Sequence, residues 1–220
     1  MRKIIVATFT SLDGVMQAPG GPEEDPTGGF AWGGWTAPYF DQALGASMGQ
    51  FFGRPFDLLL GRKTYDIFAA HWPYVANPQD PIAGLFNRVT KYVASRSRSK
   101  KLAWQNSQLL GEDVVASLRK LKSQAAPDLL VQGSSELLQT LLQHGLVDEL
   151  SVLLFPVVFG RGKRLFGGGT NPSALRLVKS QAFPSGVIVA TYEPDGDVKT
   201  GSFQLAEPSK AEIERRRNLT

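Results

Sequence analysis

The sequence contains no cysteine, which excludes disulfides, a thiolate nucleophile and cysteine-ligated zinc. A zinc-dependent deaminase centre of the His-x-Glu and Pro-Cys-x-x-Cys type is excluded with it. Histidine is nearly absent as well: His71 and His144 are the only two, and neither belongs to a His-Glu-x-x-His zinc pattern. A serine nucleophile elbow of the Gly-x-Ser-x-Gly type is not expected. No apolar run approaches the roughly 18 residues that a membrane helix needs, so no membrane association is expected. The apolar run Ile4-Ile5-Val6-Ala7 is too short for a secretory signal and is followed by no small-residue cleavage site, so it reads as a first strand and the chain as cytoplasmic. Gly160-Arg161-Gly162-Lys163-Arg164 has the composition of a phosphate loop but not its pattern, because Val157 and Arg164 occupy positions that need Gly and Ser or Thr.

What is present suits one α/β domain. The chain has 220 residues, 42% of them hydrophobic, enough to bury one sizeable core. Its net charge of +4 is uneven, since residues 81–180 alone carry 14 basic and 6 acidic side chains. The basic residues do not interleave with aromatics, so a nucleic-acid partner is not expected and a phosphate-bearing small molecule is the simpler account. The run Arg96-Ser97-Arg98-Ser99-Lys100-Lys101 also reads as a solvated loop.

Strand-like runs at 3–9, 56–60, 89–95, 129–132 and 150–155 alternate with helical patterns at 39–52, 64–70, 114–121 and 135–143. Leu102-Ala103-Trp104 reads as a further short strand. Pro73, Pro78 and Pro81 predict an irregular stretch. Runs at 186–193 and 198–205 flank Pro194-Asp195-Gly196-Asp197 and predict a closing hairpin. These patterns argue a mostly parallel sheet with an antiparallel edge over residues 1–206, followed by a charged tail at 207–220. Residues 16–38 form a long Gly- and Pro-rich connection in which Trp32 and Trp35 are apolar anchors, either of a lid or of a fixed loop.

Three short segments follow predicted strands and therefore share the carboxyl edge of the sheet, where α/β proteins bind ligands. Gly61-Arg62-Lys63-Thr64 opens a helix, and its glycine, two cations and hydroxyl suit a phosphate at a helix N-terminus. Ser95 and Arg96 follow the third strand. Gln132-Gly133-Ser134-Ser135 opens another helix and forms a second phosphate cradle. Thr10-Ser11-Leu12-Asp13-Gly14 follows the first strand, and Asp13 is the polar residue best placed by sequence to orient or protonate a substrate.

Together with Gly145-Leu146-Val147-Asp148-Glu149-Leu150 and the stretch from Pro156 to Phe166, these segments resemble the dihydrofolate reductase-like superfamily. The resemblance is closer to the reductase domain of the riboflavin-biosynthesis deaminase-reductase and its small stand-alone relatives, and covers about residues 3–166. It implies a three-layer α/β/α fold with a mostly parallel mixed sheet and a C-terminal antiparallel hairpin. It implies NADPH as cofactor, with Gly61, Arg62, Lys63 and Thr64 at the pyrophosphate and 2′-phosphate. Ser95 and Arg96 would take the adenosine 2′-phosphate, and Gln132, Gly133, Ser134 and Ser135 would lie under the pyrophosphate. Ala7 and Thr8 would meet the nicotinamide carboxamide. The resemblance makes the Gly160–Arg164 turn structural and implies a homodimer. Folate reductases have consecutive glycines at the third motif, so Gln132-Gly133-Ser134 argues against an unusual peptide there. The implied activity is reduction of a small heterocycle, with 5-amino-6-(5-phosphoribosylamino)uracil the nearest named substrate. A pterin or folate reductase and a non-catalytic NADPH-binding regulator are the alternatives.

Overall fold

The computed structural model describes all residues of the chain except 78, 79, 98, 100, 169 and 220. Pro78 and two members of the basic run, Arg98 and Lys100, therefore lie outside the described residues.

Among the described residues the strands form one sheet of order β4-β3-β2-β5-β1-β6-β8-β7. The strands are β1 (Ile4–Ser11), β2 (Phe56–Gly61), β3 (Lys91–Ala94), β4 (Ser107–Leu109), β5 (Asp128–Val131), β6 (Glu149–Phe155), β7 (Leu175–Ala182) and β8 (Ile188–Pro194). β1 pairs in parallel with both β5 and β6, and β2 with β3 and β5. β8 runs antiparallel to β6 and to β7. The helices are α1 (Gln42–Met48), α2 (Arg62–Ala69), α3 (Pro81–Arg88), α4 (Val114–Lys122), α5 (Ser135–Gln143) and α6 (Lys210–Arg217).

The central strands are apolar on both faces, as a sheet covered on both sides requires. Ile4, Val6, Leu59, Leu129 and Val131 pack against Leu118 and Leu121 of α4 and Leu137, Leu138 and Leu141 of α5. Their neighbours in sequence, Ile5, Ala7, Leu58, Leu60 and Leu130, pack on the opposite face against Tyr65 of α2 and Phe86 of α3. The period of two along each strand thus separates the two helical layers. At the amino edge of the sheet, buried Arg2 pairs with Asp57 at 2.5 Å and Lys122 with Asp148 at 2.5 Å. The carboxyl edge is left for the cleft described below. Among the described residues no helix is long and apolar enough to cross a membrane.

Four sequence expectations are corrected. The closing hairpin is β7–β8, one strand earlier than expected, and it turns through Phe183 and Gly186. β7 is exposed along its whole length, so it lacks the apolar alternation that marks a strand. Pro194-Asp195-Gly196-Asp197 ends β8 instead of turning it, and 198–205 carries no strand. The short edge strand is Ser107–Leu109, not Leu102–Trp104, because the Trp104 N–H donates to the Tyr65 hydroxyl at 2.9 Å. The stretch after Pro73 contains α3: Pro81 stands in its first turn, where a missing N–H costs nothing, and Asp80 caps it. The expected helix at 39–52 is the shorter α1 flanked by 3₁₀ turns.

Candidate functional site

The carboxyl edge of the sheet opens into a cleft of about 1400 Å³. Ala7 and Thr8 of β1 line its floor, and Gly61 to Thr64, Ser95, Arg96 and Gln132 to Ser135 line one side. The expected cofactor residues thus share one cavity, although they come from four strands.

Two helices point their N-termini into this cleft. α2 begins after Gly61 and α5 after Ser134, and at neither end does the residue at the cap position accept from the free helical N–H groups through its side chain. The Ser134 hydroxyl lies against Gly61 instead: a Cβ on Gly61 would stand 2.1 Å from the Ser134 Oγ and 2.8 Å from its backbone nitrogen. A Cβ on Gly133 would stand 2.6 Å from the Thr64 Oγ1. The Gly61 N–H donates to the Gly133 carbonyl at 3.0 Å, which ties the two turns together. The absence of side chains at Gly61 and Gly133 is therefore what lets the two helix ends converge. The Gly133–Ser134 peptide is cis, contrary to the expectation drawn from the missing second glycine.

Cations surround these ends. Arg62 donates from Nε to Asp66 at 2.9 Å, and exposed Arg96 pairs with exposed Glu136 across the cleft mouth. Lys63 donates to Asp25 at 2.5 Å. The same carboxylate accepts from Lys163 at 2.6 Å and from the Thr27 hydroxyl at 2.5 Å. Burial pushes the Asp25 carboxyl up, but hydrogen bonds from Lys163, Lys63 and Thr27 outweigh it and hold it at about 2. Burial and the neighbouring Lys63 charge push Lys163 below its ordinary value.

Asp25 and Lys163 are site residues that the sequence reading missed. The turn at Gly160–Arg164 is thus more than structural, since it delivers Lys163 to the cleft wall. Asp25 sits in a Gly- and Pro-rich loop with no local pattern to mark it. Nearby Glu24 also lines the cleft and accepts from the Gly20 and Gly21 N–H groups at 2.5 and 3.2 Å; burial raises its carboxyl above the ordinary value.

The connection at 16–38 that carries these acids is fixed by its own side chains. Trp35 is buried and donates from Nε1 to the Gln17 carbonyl at 2.8 Å, and Gln17 donates to the carbonyls of Asp25 and Thr27 at 2.9 and 2.8 Å. Phe30 and Trp35 belong to the core cluster around Phe155. Trp32 packs on Phe30 and lies under Arg161.

Asp13 is the expected residue that the structure does not bring to the cleft. Its carboxylate accepts from the Ser11 hydroxyl at 2.6 Å and from the Phe159 and Gly160 N–H groups at 3.2 and 2.9 Å, and it faces Arg164 at 3.3 Å. Burial acts upward on it, yet these hydrogen bonds hold it below the ordinary carboxylate value. An ionised acceptor so engaged pins the 156–166 turn onto the end of β1 and has no proton to give. Gly45-Ala46-Ser47-Met48-Gly49 does fit the Gly-x-Ser-x-Gly spacing, but it lies in and at the end of α1 and not at a strand-to-helix turn. It therefore lacks the exposed, strained geometry of a nucleophile elbow.

The other side of the cleft is apolar. Phe40, Met48, Phe52, Phe68, Trp72 and Phe86 line it between α1, α2 and α3. Phe86 is the hub, with ring centroids 5.7 Å from Phe52, 5.8 Å from Phe68 and 5.1 Å from Trp72.

Comparison with known proteins agrees with this arrangement. The pattern of the RibD C-terminal domain matches residues 2–189. The chain is similar to the uncharacterized protein YyaP of Bacillus subtilis, at 26% identity over 201 residues, 89% of this chain and 96% of that protein. Its fold is similar to a pyrimidine reductase-like protein of Corynebacterium diphtheriae, at a TM-score of 0.56 and 16% identity, covering 89% of this chain and 93% of that one. It is also similar to dihydrofolate reductase of Enterococcus faecalis complexed with NADP(H), at a TM-score of 0.53 and 14% identity, covering 87% and 96%. The chain belongs to the RibD C-terminal domain family, the reductase-domain family of riboflavin biosynthesis, and has a dihydrofolate reductase-like fold.

Proposed function

We propose that this protein is an NADPH-dependent reductase that passes hydride to a small heterocyclic substrate. The observation that carries the reading is the convergence of two uncapped helix N-termini, α2 and α5, on one cleft that also holds Arg62, Lys63 and Arg96. Free N–H groups and the helix dipole favour an anion at such ends. The close approach of Gly61 to Ser134 and of Gly133 to Thr64 brings the two helix starts side by side, as a ligand with two linked phosphates requires.

In this reading the residues at 61–64 and 132–135 hold the pyrophosphate. Ser95 and Arg96 hold the adenosine 2′-phosphate, Arg96 exchanging its exposed Glu136 partner for a phosphate with stronger charge-assisted bonds. Ala7 and Thr8 place the nicotinamide at the junction with the apolar side. The bound dinucleotide supplies the hydride, and the protein orients two rings and excludes water.

The test is loss of NADPH absorbance over a panel containing 5-amino-6-(5-phosphoribosylamino)uracil, dihydrofolate and uncharged ring carbonyls. Turnover of a panel member with NADPH favoured over NADH supports the reading. Tight NADPH binding without turnover across the panel would favour a non-catalytic regulator, and dihydrofolate as the best substrate a folate reductase. We also propose a homodimer, because β7 is an exposed edge strand that a second copy can cover. A monomer mass in light scattering at micromolar concentration would contradict it.

A further inference from the structure

The two sides of the cleft differ in chemistry, and the difference bears on the substrate. The cations that line the cleft among the described residues are Arg62, Lys63, Arg96 and Lys163. Arg62 and Lys63 open α2, Arg96 follows β3, and Lys163 is held over Lys63 by Asp25. All four therefore sit on the dinucleotide side. Among the described residues, the basic excess of residues 81–180 contributes Arg96 and Lys163 to the cleft lining; Arg88, Arg119, Lys120, Lys122, Arg176 and Lys179 lie elsewhere.

The substrate side is walled by Phe40, Met48, Phe52, Phe68, Trp72 and Phe86. Phe68 stacks on Phe86 with an interplanar angle of 24°, while Phe52 and Trp72 meet Phe86 edge-on at 76° and 70°. Phe40, 43% exposed, packs edge-on against Phe9 at 5.9 Å, so the rim of this side is aromatic too. A phosphate dianion brought against such a wall loses its water without gaining charge-assisted donors, whereas a flat ring gains stacking and loses little.

We propose that the substrate of this cleft is an uncharged planar ring compound that carries no phosphate. The proposal rests on the reductase reading and narrows it: the substrate differs in charge from the phosphoribosyl compound that the family resemblance suggests. Phe40, Phe68 and Trp72 select by ring shape, and a wall that holds no cation among the described residues selects against acidic groups.

The experiment compares two probes with one ring system, 2-naphthol and 2-naphthyl phosphate, by titration calorimetry on the full chain with and without saturating NADPH. With NADPH present, 2-naphthol binds at least about ten-fold more tightly than its phosphate ester. Phe68→Ala and Phe40→Ala each weaken 2-naphthol several-fold and leave NADPH affinity unchanged. If Phe68→Ala fails to fold by circular dichroism, Phe40→Ala decides, because its ring lies at the rim. Equal or tighter binding of the phosphate ester overturns the proposal, as does absence of 2-naphthol binding while NADPH binds. Binding of 2-naphthol without any NADPH binding overturns the reductase reading while leaving an aromatic-ring site.

Discussion

Two kinds of helix start occur in this molecule. α1, α3, α4 and α6 begin at Asp41, Asp80, Asp113 and Ser209, and each of these side chains accepts from a free N–H in the first turn. α2 and α5 begin at Gly61 and Ser134 without such a bond. The difference follows position. None of the four capping residues lines the cleft, although Glu112 and Val114 on either side of Asp113 do; at these starts a carboxylate or hydroxyl settles the local hydrogen bonding. The uncapped starts meet each other at the cleft, where a capping carboxylate would occupy the volume and cancel the charge that an anionic ligand needs. Stability is built at one class of helix end and ligand affinity is left open at the other.

The largest effect that breaks this distinction is expected from Gly61→Ala. The added Cβ meets the Ser134 Oγ at 2.1 Å and must force the two uncapped starts apart. Thermal unfolding should show a loss of about 2–3 kcal/mol, typical of overpacking. NADPH titration should show a loss of affinity of at least about a hundred-fold. Next is the buried carboxylate beside α2. Asp25 is held at about 2, below its ordinary 3.8, so it stabilises the fold above the higher value and stops doing so as pH falls through the lower one. Denaturant unfolding between about pH 4 and pH 2 should lose about 2 kcal/mol that Asp25→Asn does not lose. Arg96→Ala should then reduce the preference for NADPH over NADH by about ten-fold, with little change in stability because its pair is exposed. The smallest effect is the converse one: Asp113→Ala should cost about 1 kcal/mol of stability by loss of a cap and leave NADPH affinity unchanged.

Much of the molecule is legible in the sequence where a local rule applies. β1, β2 and β5 read as buried strands because their apolar runs face helices on both sides. The glycine and hydroxyl residues at 61–64 and 132–135 read as phosphate turns because they follow those strands. Legibility fails where the determining contact is distant. Asp25 is an ordinary loop acid until Lys63 and Lys163, 38 and 138 residues away, reach it. Asp13 has the sequence context of a catalytic acid, yet the N–H groups of Phe159 and Gly160 claim its carboxylate. β7 is a strand only because β8 pairs with it, and its exposed side chains leave no pattern. α3 hides behind Pro81, which reads as a breaker unless Asp80 is recognised as its cap. The aromatic side of the cleft comes from α1, α2 and α3 together, so no one segment announces it.

The most direct test of the uncapped helix ends is NADPH titration of Ser134→Asp beside wild type, followed by tryptophan fluorescence. The substitution gives α5 the kind of cap that Asp113 gives α4. If the open N-terminus of α5 holds the dinucleotide phosphates, the variant remains folded by circular dichroism and binds NADPH at least about ten-fold more weakly. Wild-type affinity in a stable Ser134→Asp variant would contradict the account, because the open helix end would then have no part in binding.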